Sequence, residues 1–363
     1  MRKNLGPIKF PLLVFMMMLT IGLFAHVQTI PALLSVTGRD AWLTIIITIV
    51  PTVIWLFGLS KLLKLMGKIS VTEWKRTLSP VKYYLLVSPL IVYLFLSAYI
   101  TTKDIVMWSH ISYIPDINYS IIVVAFLFLC FIGTRSGVKS LAILSGILLP
   151  LVSALGFFVM TVNVKKKEYE QLLPLIEHGW SPVFQGLIYT LLPIVELFIL
   201  IIIPSIDKDK IGIGKLFIVG GIILGLMLGP TIGAIAEFGP LQASEFRYPA
   251  FEQWRILTIG NYFSHVDFFA IYQWLSGGVL RTSLYILLAN QLLVRKEKGK
   301  YSVIICYLCL VILCLYRVDQ NTFYELLYVY FMPIALGVLV IQITIIFVYL
   351  HIKNRKKKIE EVG

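Results

Sequence analysis

Residues 189–204 read YTLLPIVELFILIIIP. The stretch is apolar enough for the middle of a bilayer, yet it carries Pro193 and, three residues later, Glu196. Proline removes a backbone donor and clashes with the preceding turn, so a helix crossing here is interrupted. An acid beside the interruption is informative as well, because ionisable groups deep in a membrane are rare and tend to serve function.

The rest of the chain fits that reading. Of its 363 residues 58% are hydrophobic and only 14% are charged, against about a quarter charged in soluble domains. Apolar runs of about 20 residues recur along the whole length, enough for a helix to cross some 30 Å of hydrocarbon. Ten such spans are predicted, at 8–34, 41–64, 83–109, 118–134, 140–162, 183–204, 212–236, 264–294, 301–317 and 325–351. The opening MRKNLGPIKF leads into an apolar run too long for a signal peptide and without a small-x-small cleavage site, so the first helix is expected to be retained.

A net charge of +13 would suit a nucleic-acid partner until the charges are located. Twenty-three of the 32 Lys and Arg residues fall in the N-terminus, in the even-numbered loops and in the tail; eight fall in the alternate loops, and Arg281 lies within a span. This partition places both termini in the cytoplasm. It makes the 352–363 tail, which follows His351 in HIKNRKKKIEE, an orientation anchor near lipid rather than a nucleic-acid arm.

The first span offers a counterpart to the sixth. Its centre, MMMLTIGLFAHVQTIPALL, holds Thr20, Gly22, His26 and Pro31, and glycine permits close backbone approach and local unwinding. Spans one and six run in opposite directions, and each opens a set of five. The expected fold is therefore an all-α integral membrane protein with ten transmembrane helices in a 5+5 inverted repeat (LeuT-like), first repeat about 8–162 and second about 183–351, with helices 1 and 6 broken at a central small-molecule site. Irregular backbone at that depth is tolerated where it lines a cavity or is buried in protein. Two loops, 163–182 and 237–263, mix charges with Leu, Phe and Trp, as segments lying on the outer face do.

GRDAW at 38–42, LLPLIEHGWSPVFQG at 172–186 and EFRYPAFEQWRILTIGNYFSHVDFFAIYQW at 245–274 resemble the B subunit of spore germinant receptors, a family similar to permeases for amino acids, polyamines and organocations. The resemblance covers essentially the whole chain. It implies an endospore inner-membrane protein that works with an A subunit and a lipoprotein C subunit and senses a small-molecule germinant, often an amino acid. One departure is visible: where relatives often carry a Glu-Arg pair before a hydrophobic residue and Asp, this chain has Ser264, His265, Val266 and Asp267. The alternative function is a proton-coupled amino-acid permease, with protons carried through Glu196 or His26.

Two ionisable residues lie near mid-depth, Glu196 in span six and Arg281 in span eight. Gly22, Pro193, Ser97 and Tyr285 lie at comparable depth, and Tyr93 shares a helix face with Ser97. The expected ligand site comprises Thr20, Gly22, Tyr93, Ser97, Leu192, Pro193, Glu196, Arg281 and Tyr285, with spans one, three, six and eight around it in the permease-like arrangement. An Arg suits a carboxylate and a Glu an ammonium, so an amino acid fits both ends; equally, the two side chains neutralise each other. His26 is a packing residue or part of a proton path. Lys103 and Asp104 are expected to snorkel to water at the end of span three. Cys130, Cys306, Cys309 and Cys314 all lie in apolar spans, and CYLC at 306–309 has no His or acid beside it, so packing is expected rather than a metal. No catalytic set, cofactor fingerprint or metal motif is recognisable, and no enzymatic activity is expected.

Overall fold

In the computed structural model, residues 7–67, 71–204, 206–258, 266–294 and 300–362 are described; among them the chain is 87% helix with no strand. Apolar helix runs from Phe10 to Met66, 57 residues, more than twice the length one crossing takes. It reverses at Gly38, whose φ of +53° is open to glycine and strained for other residues. The run comprises α1 (Phe10–Leu23), a π turn (Phe24–Thr29), α2 (Ile30–Thr37), a 3-10 turn (Gly38–Asp40), α3 (Ala41–Ile47) and α4 (Ile49–Met66). Both α2 and α3 pack against a later helix, α9 (Trp180–Val195), as the two sides of a hairpin would.

The short α5 (Trp74–Thr77) precedes α6 (Pro80–Ser112), α7 (Tyr119–Ser136) and α8 (Val138–Val162). Pro80 stands at the first helical position of α6, where its missing N–H costs nothing. The side chain of Asn118 caps α7 by accepting the Ser120 N–H at 2.9 Å. Then come α9 (Trp180–Val195), a 3-10 turn (Glu196–Phe198), α10 (Ile199–Ile202), α11 (Ile213–Phe238), the short α12 (Pro240–Glu245) and α13 (Pro249–Arg255), and α14 (Phe268–Leu293). The chain closes with α15 (Lys300–Leu315), α16 (Gln320–Glu325), a second π turn (Leu326–Phe331) and α17 (Met332–Val362).

Seven helices among the described residues are long and apolar enough to cross a membrane, the Phe10–Met66 run counting as one of them, and Tyr301–Leu315 is a shorter apolar helix. The 26-residue α14 is absent from the seven, its apolar character diluted by Gln273, Arg281, Asn290 and Gln291.

The expected breaks are milder than breaks. In the first span the helix continues past Gly22 and widens into the π turn Phe24–Thr29; in the sixth it passes through Pro193 and tightens into the 3-10 turn that begins at Glu196. Helical dihedrals persist at the caps of both turns, so neither segment is unwound. Single wide or tight turns of this kind redirect carbonyls while leaving most of the ladder intact.

Burial identifies the middle of the bundle. In the apolar window of Trp180–Ile202, 78% of residues are buried inside the protein, against 17% for Val138–Lys166, so α9–α10 is surrounded by protein and α8 presents most of its surface outward. The most extensive helix pairing is α14 on α6; α14 also packs on α1, α7 and α8, and α9 on α17. Residues 163–179 and 237–258 gather at one end of the bundle, the loop end. Met66, Trp74, Leu293 and Asn354 gather at the other, the tail end, where Tyr84 donates to the Leu293 carbonyl at 2.9 Å and Asn354 to that of Leu65 at 3.2 Å.

Candidate functional site

Halfway along α14, Arg281 is fully buried, and so is Glu196 facing it. The guanidinium holds the carboxylate with both forks: Nη2 donates to Oε1 at 2.5 Å and Nη1 to Oε2 at 2.8 Å. Paired N–H bonds of this kind are the strong, directional form of an ion pair. Nη1 also donates to the Tyr285 hydroxyl at 2.8 Å and to the Thr20 carbonyl at 3.2 Å, while Nε donates to Thr101 Oγ1 at 3.1 Å. The Phe24 ring lies 4.6 Å and the Tyr285 ring 4.3 Å from the guanidinium carbon, adding cation–π attraction in a dry setting. Tyr93 donates its hydroxyl to Glu196 Oε1.

The position of each partner follows from local structure. Tyr93, Ser97 and Thr101 recur every four residues on α6 and so share one face. Tyr285 stands one turn beyond Arg281 on α14. Glu196 projects from the tight turn after Pro193. Both π turns bring a ring to this centre: Phe24 from the first covers Arg281, and Phe331 from the second stacks on Tyr93 with centroids 6.0 Å apart and planes 8° from parallel.

Of the nine residues expected from sequence, Thr20, Tyr93, Glu196, Arg281 and Tyr285 thus meet in one hydrogen-bonded cluster. Thr20 contributes its carbonyl, since its own hydroxyl donates to the Met16 carbonyl at 2.7 Å. Ser97 is buried on the same face of α6 with its hydroxyl unpartnered among the described residues. Leu192 and Pro193 are buried on α9, and the Glu196 backbone N–H donates to the Leu192 carbonyl at the end of that helix. Gly22 looks the other way: a Cβ there would meet Leu226 Cδ1 at 2.7 Å.

On that other side lies a cavity of about 460 Å³ between α1, α8, α11, α13 and α14. Gly22, His26, Gly156, Gly225, Trp254 and Trp274 are among its lining residues; the other eight residues of the expected site are not. His26 reaches the Leu226 carbonyl through Nδ1 at 3.3 Å.

A second charged cluster occupies the loop end and corrects the reading of Lys103 and Asp104 as snorkelling residues. Their relative exposures are 2% and 1%. Asp104 accepts from Gln28 Nε2 at 3.0 Å, from the Tyr248 hydroxyl at 2.9 Å and from the Tyr324 hydroxyl at 3.2 Å, with Arg247 at 3.6 Å. Lys103 donates to the carbonyls of Cys314 and Tyr316 at 2.8 and 2.9 Å, at the C-terminal end of α15, where a cation is favoured. Helix α6 runs on to Ser112 and is covered by α13 and α16, so depth judged from the apolar run alone placed these residues too near water. Tyr248, outside the spans, has its phenol pKa pushed well up by burial and then by the neighbouring carboxylate.

The cysteines are free: Cys130 and Cys314 are buried, Cys306 is half-buried and Cys309 exposed. Among the described residues no cluster of His, Cys, Asp and Glu is placed to hold a metal ion.

The family described as "Spore germination protein" matches residues 4–323. Spore germination protein XB of Bacillus anthracis is 37% identical over 340 residues, 93% of this chain and 96% of that protein. The chain belongs to this spore germination family. In this family member, two of the stretches that carried the resemblance hold each other. Asp40 of GRDAW accepts the backbone N–H groups of Ile176 and Glu177 at 2.8 and 3.0 Å. Arg39 pairs with Glu177 at 2.8 Å and also donates to the carbonyls of Gln171 and Leu173. The hairpin tip at Gly38 therefore pins the 163–179 segment over the loop end. At the departure from the family pattern, Ser264 and His265 lie outside the described residues; Asp267 stands just before α14 without a side-chain capping bond, and its carbonyl accepts the Tyr113 hydroxyl at 2.8 Å.

Proposed function

We propose that this chain is the ligand-sensing B-type subunit of a germinant receptor in the inner spore membrane, recognising a zwitterionic amino acid at the Arg281–Glu196 centre and signalling through A and C subunits. The observation that carries the reading is the forked, fully buried Arg281–Glu196 pair at mid-bundle in a spore germination family member. An ammonium and a carboxylate on one small molecule are complementary to the two halves of this pair, and the unpartnered Ser97 hydroxyl stands on the same face. A germinant that exchanges into the pair replaces one set of contacts on α1, α6, α9 and α14 with another. Differential affinity of that kind shifts a two-state bundle.

The same reading takes the chain across the bilayer ten times as two inverted five-helix repeats. The Phe10–Met66 run supplies two passes folded at Gly38, and α14 and α15 supply two more. Both termini then face the spore core, as the 23-to-8 charge partition requires.

The test uses spores carrying Arg281→Lys or Arg281→Leu at matched protein level. The leucine variant is expected to lose the response to amino acids. The lysine variant is expected to keep only part of it, because an ammonium lacks the guanidinium fork. A normal response in both ends the reading. Concentrative uptake of labelled amino acid by liposomes holding this protein alone would instead make it a permease.

A further inference from the structure

We propose that the glycine-lined cavity behind α1 is a second binding site, distinct from the charged centre, and that it takes an uncharged, largely apolar molecule with a neutral hydrogen-bonding head. This goes beyond the receptor reading and holds whether or not an amino acid enters the Arg281–Glu196 centre.

The cavity, about 460 Å³, is within the range that encloses a small organic ligand. Protein interiors rarely leave such space, and here its origin is visible: α8 and α11 turn glycines toward it. A Cβ on Gly156 would meet only Gln273 Nε2 at 3.8 Å, and one on Gly225 would meet nothing within 4 Å.

The chemistry of the wall selects the guest. Among the described residues no Asp, Glu, Lys or Arg lines the cavity, so an ion entering it would shed water with no counter-charge to meet. Two of the wall amides are already committed: Gln273 Nε2 donates to the Val152 carbonyl at 2.9 Å while its Oε1 accepts from Trp254 Nε1 at 3.0 Å, and Gln253 Nε2 donates to the Pro230 carbonyl at 3.2 Å. These bonds fix the indole of Trp254 as wall. They leave His26, whose Nε2 has no hydrogen-bond partner among the described residues, to meet a neutral donor or acceptor. Apart from Ser153 the remainder is hydrocarbon and indole, and apolar cavities take apolar guests.

Position gives the site a consequence. Leu19, Gly22 and Leu23 line the cavity, and the Thr20 carbonyl of the same turn holds Arg281. At Gly277 the backbones of α14 and α1 nearly touch, since a Cβ there would lie 2.9 Å from the Leu19 carbonyl oxygen. An occupant therefore leans on the turn that positions the ion pair.

The guest has two possible sources with the same chemistry, a small molecule from solution or a lipid chain passing Phe157 and Met160, which are 72% and 39% exposed at the rim. The experiment uses the full chain in phosphatidylcholine nanodiscs and an aryl-diazirine photolabel bearing a primary amide, with carboxylate and trimethylammonium analogues as controls. The amide probe is expected to label peptides spanning 18–26, 149–160 and 222–230, and each charged analogue about tenfold less. Gly156→Leu and Gly225→Leu, whose added Cβ meets nothing closer than 3.8 Å, are expected to lower amide labelling about tenfold while the thermal transition stays in place. A neutral lipid such as a diacylglycerol retained in lipid-free detergent by the parent protein and lost in Gly156→Leu identifies lipid as the source; labelling that persists after lipid removal and is competed by excess amide identifies solution. Equal labelling by neutral and charged probes, or unchanged labelling in both folded glycine variants, overturns the proposal.

Discussion

The Arg281–Glu196 centre and the glycine-lined cavity lie on opposite sides of one turn, Leu19–Leu23, and solve opposite problems. On one side two opposite charges are fully paired, with a fork of bonds at 2.5 and 2.8 Å and the rings of Phe24 and Tyr285 at 4.6 and 4.3 Å. On the other, about 460 Å³ stands open with no Asp, Glu, Lys or Arg on its wall among the described residues. The difference teaches that a charged ligand reaches the centre only by exchange, displacing one partner from the other. An apolar ligand enters the cavity without breaking an ion pair. On the proposed readings, the α1 turn between them feels both events.

The largest expected effect comes from breaking the pair. Arg281→Leu strands Glu196 in the interior and is expected to cost about 3–5 kcal/mol, while the double variant Arg281→Met with Glu196→Leu recovers most of that, because two matched apolar residues carry no desolvation penalty. Unfolding of single and double variants in nanodiscs measures it. A double variant no more stable than the single one would mean that the charges answer to other partners, and the contrast with the cavity would dissolve.

Next in size is a buried charge with poorer compensation. Lys208, at the tail end and outside the spans, is 1% exposed and donates to the Ile203 carbonyl at 3.2 Å. Burial pulls its pKa down from 10.5 to about 8 against the opposing pull of Glu73 and Asp209. Below pH 8 the folded state carries the whole cost of the charge. Between 8 and 10.5 the unfolded chain keeps a proton that the folded one has released, so stability rises with pH. Lys208→Met is therefore expected to stabilise the protein at pH 7 by no more than about 3 kcal/mol, at about 1.4 kcal/mol per pKa unit, with the gain vanishing as pH rises through 10.5. A gain independent of pH would mean that Lys208 titrates alike in the folded and unfolded chains, and that the gain comes from packing rather than from relief of a buried charge.

Gly277→Ala tests the wall itself. Its Cβ would lie 2.9 Å from the Leu19 carbonyl oxygen and 3.0 Å from Leu23 Cβ. Pushing the two helices apart is expected to cost about 1–3 kcal/mol. A Gly277→Ala protein as stable as the parent, by the same unfolding measurement, would show that the turn yields freely and transmits little between the two sites.

The sequence made the charged centre legible and the space hard to see, for physical reasons. A carboxylate and a guanidinium stand out in apolar spans because each is costly there, and their similar depth in spans six and eight pointed to one site. Asp104 was misread because what buries it is remote: Tyr248 from a loop, Tyr324 from α16 and Gln28 from the first π turn, none of them unusual in its own segment. The π turns had no signal, since a single wide turn needs no special residue. The cavity left a faint one. Gly221, Gly225 and Gly229 recur every four residues in GGIILGLMLGP, a face without side chains, although only packing against α8 and α1 turns that face into an enclosed volume.

The smallest effect is expected at Gly225, and its sign matters more than its size. Glycine within a helix is less favourable than alanine by about 0.8–1 kcal/mol, through the freedom it loses on folding. An added methyl there meets nothing within 4 Å, so Gly225→Ala brings that helix gain with no clash against it, and the folded protein is expected to be more stable by roughly 0.5–1 kcal/mol. The same change at Gly277 has the same intrinsic gain and the opposite outcome. The pair of alanine variants therefore maps the boundary between open space and closed contact across one helix. If Gly225→Ala destabilises the protein in lipid nanodiscs and stabilises it in lipid-free detergent, an occupant taken from the bilayer was filling the space that the methyl group claims.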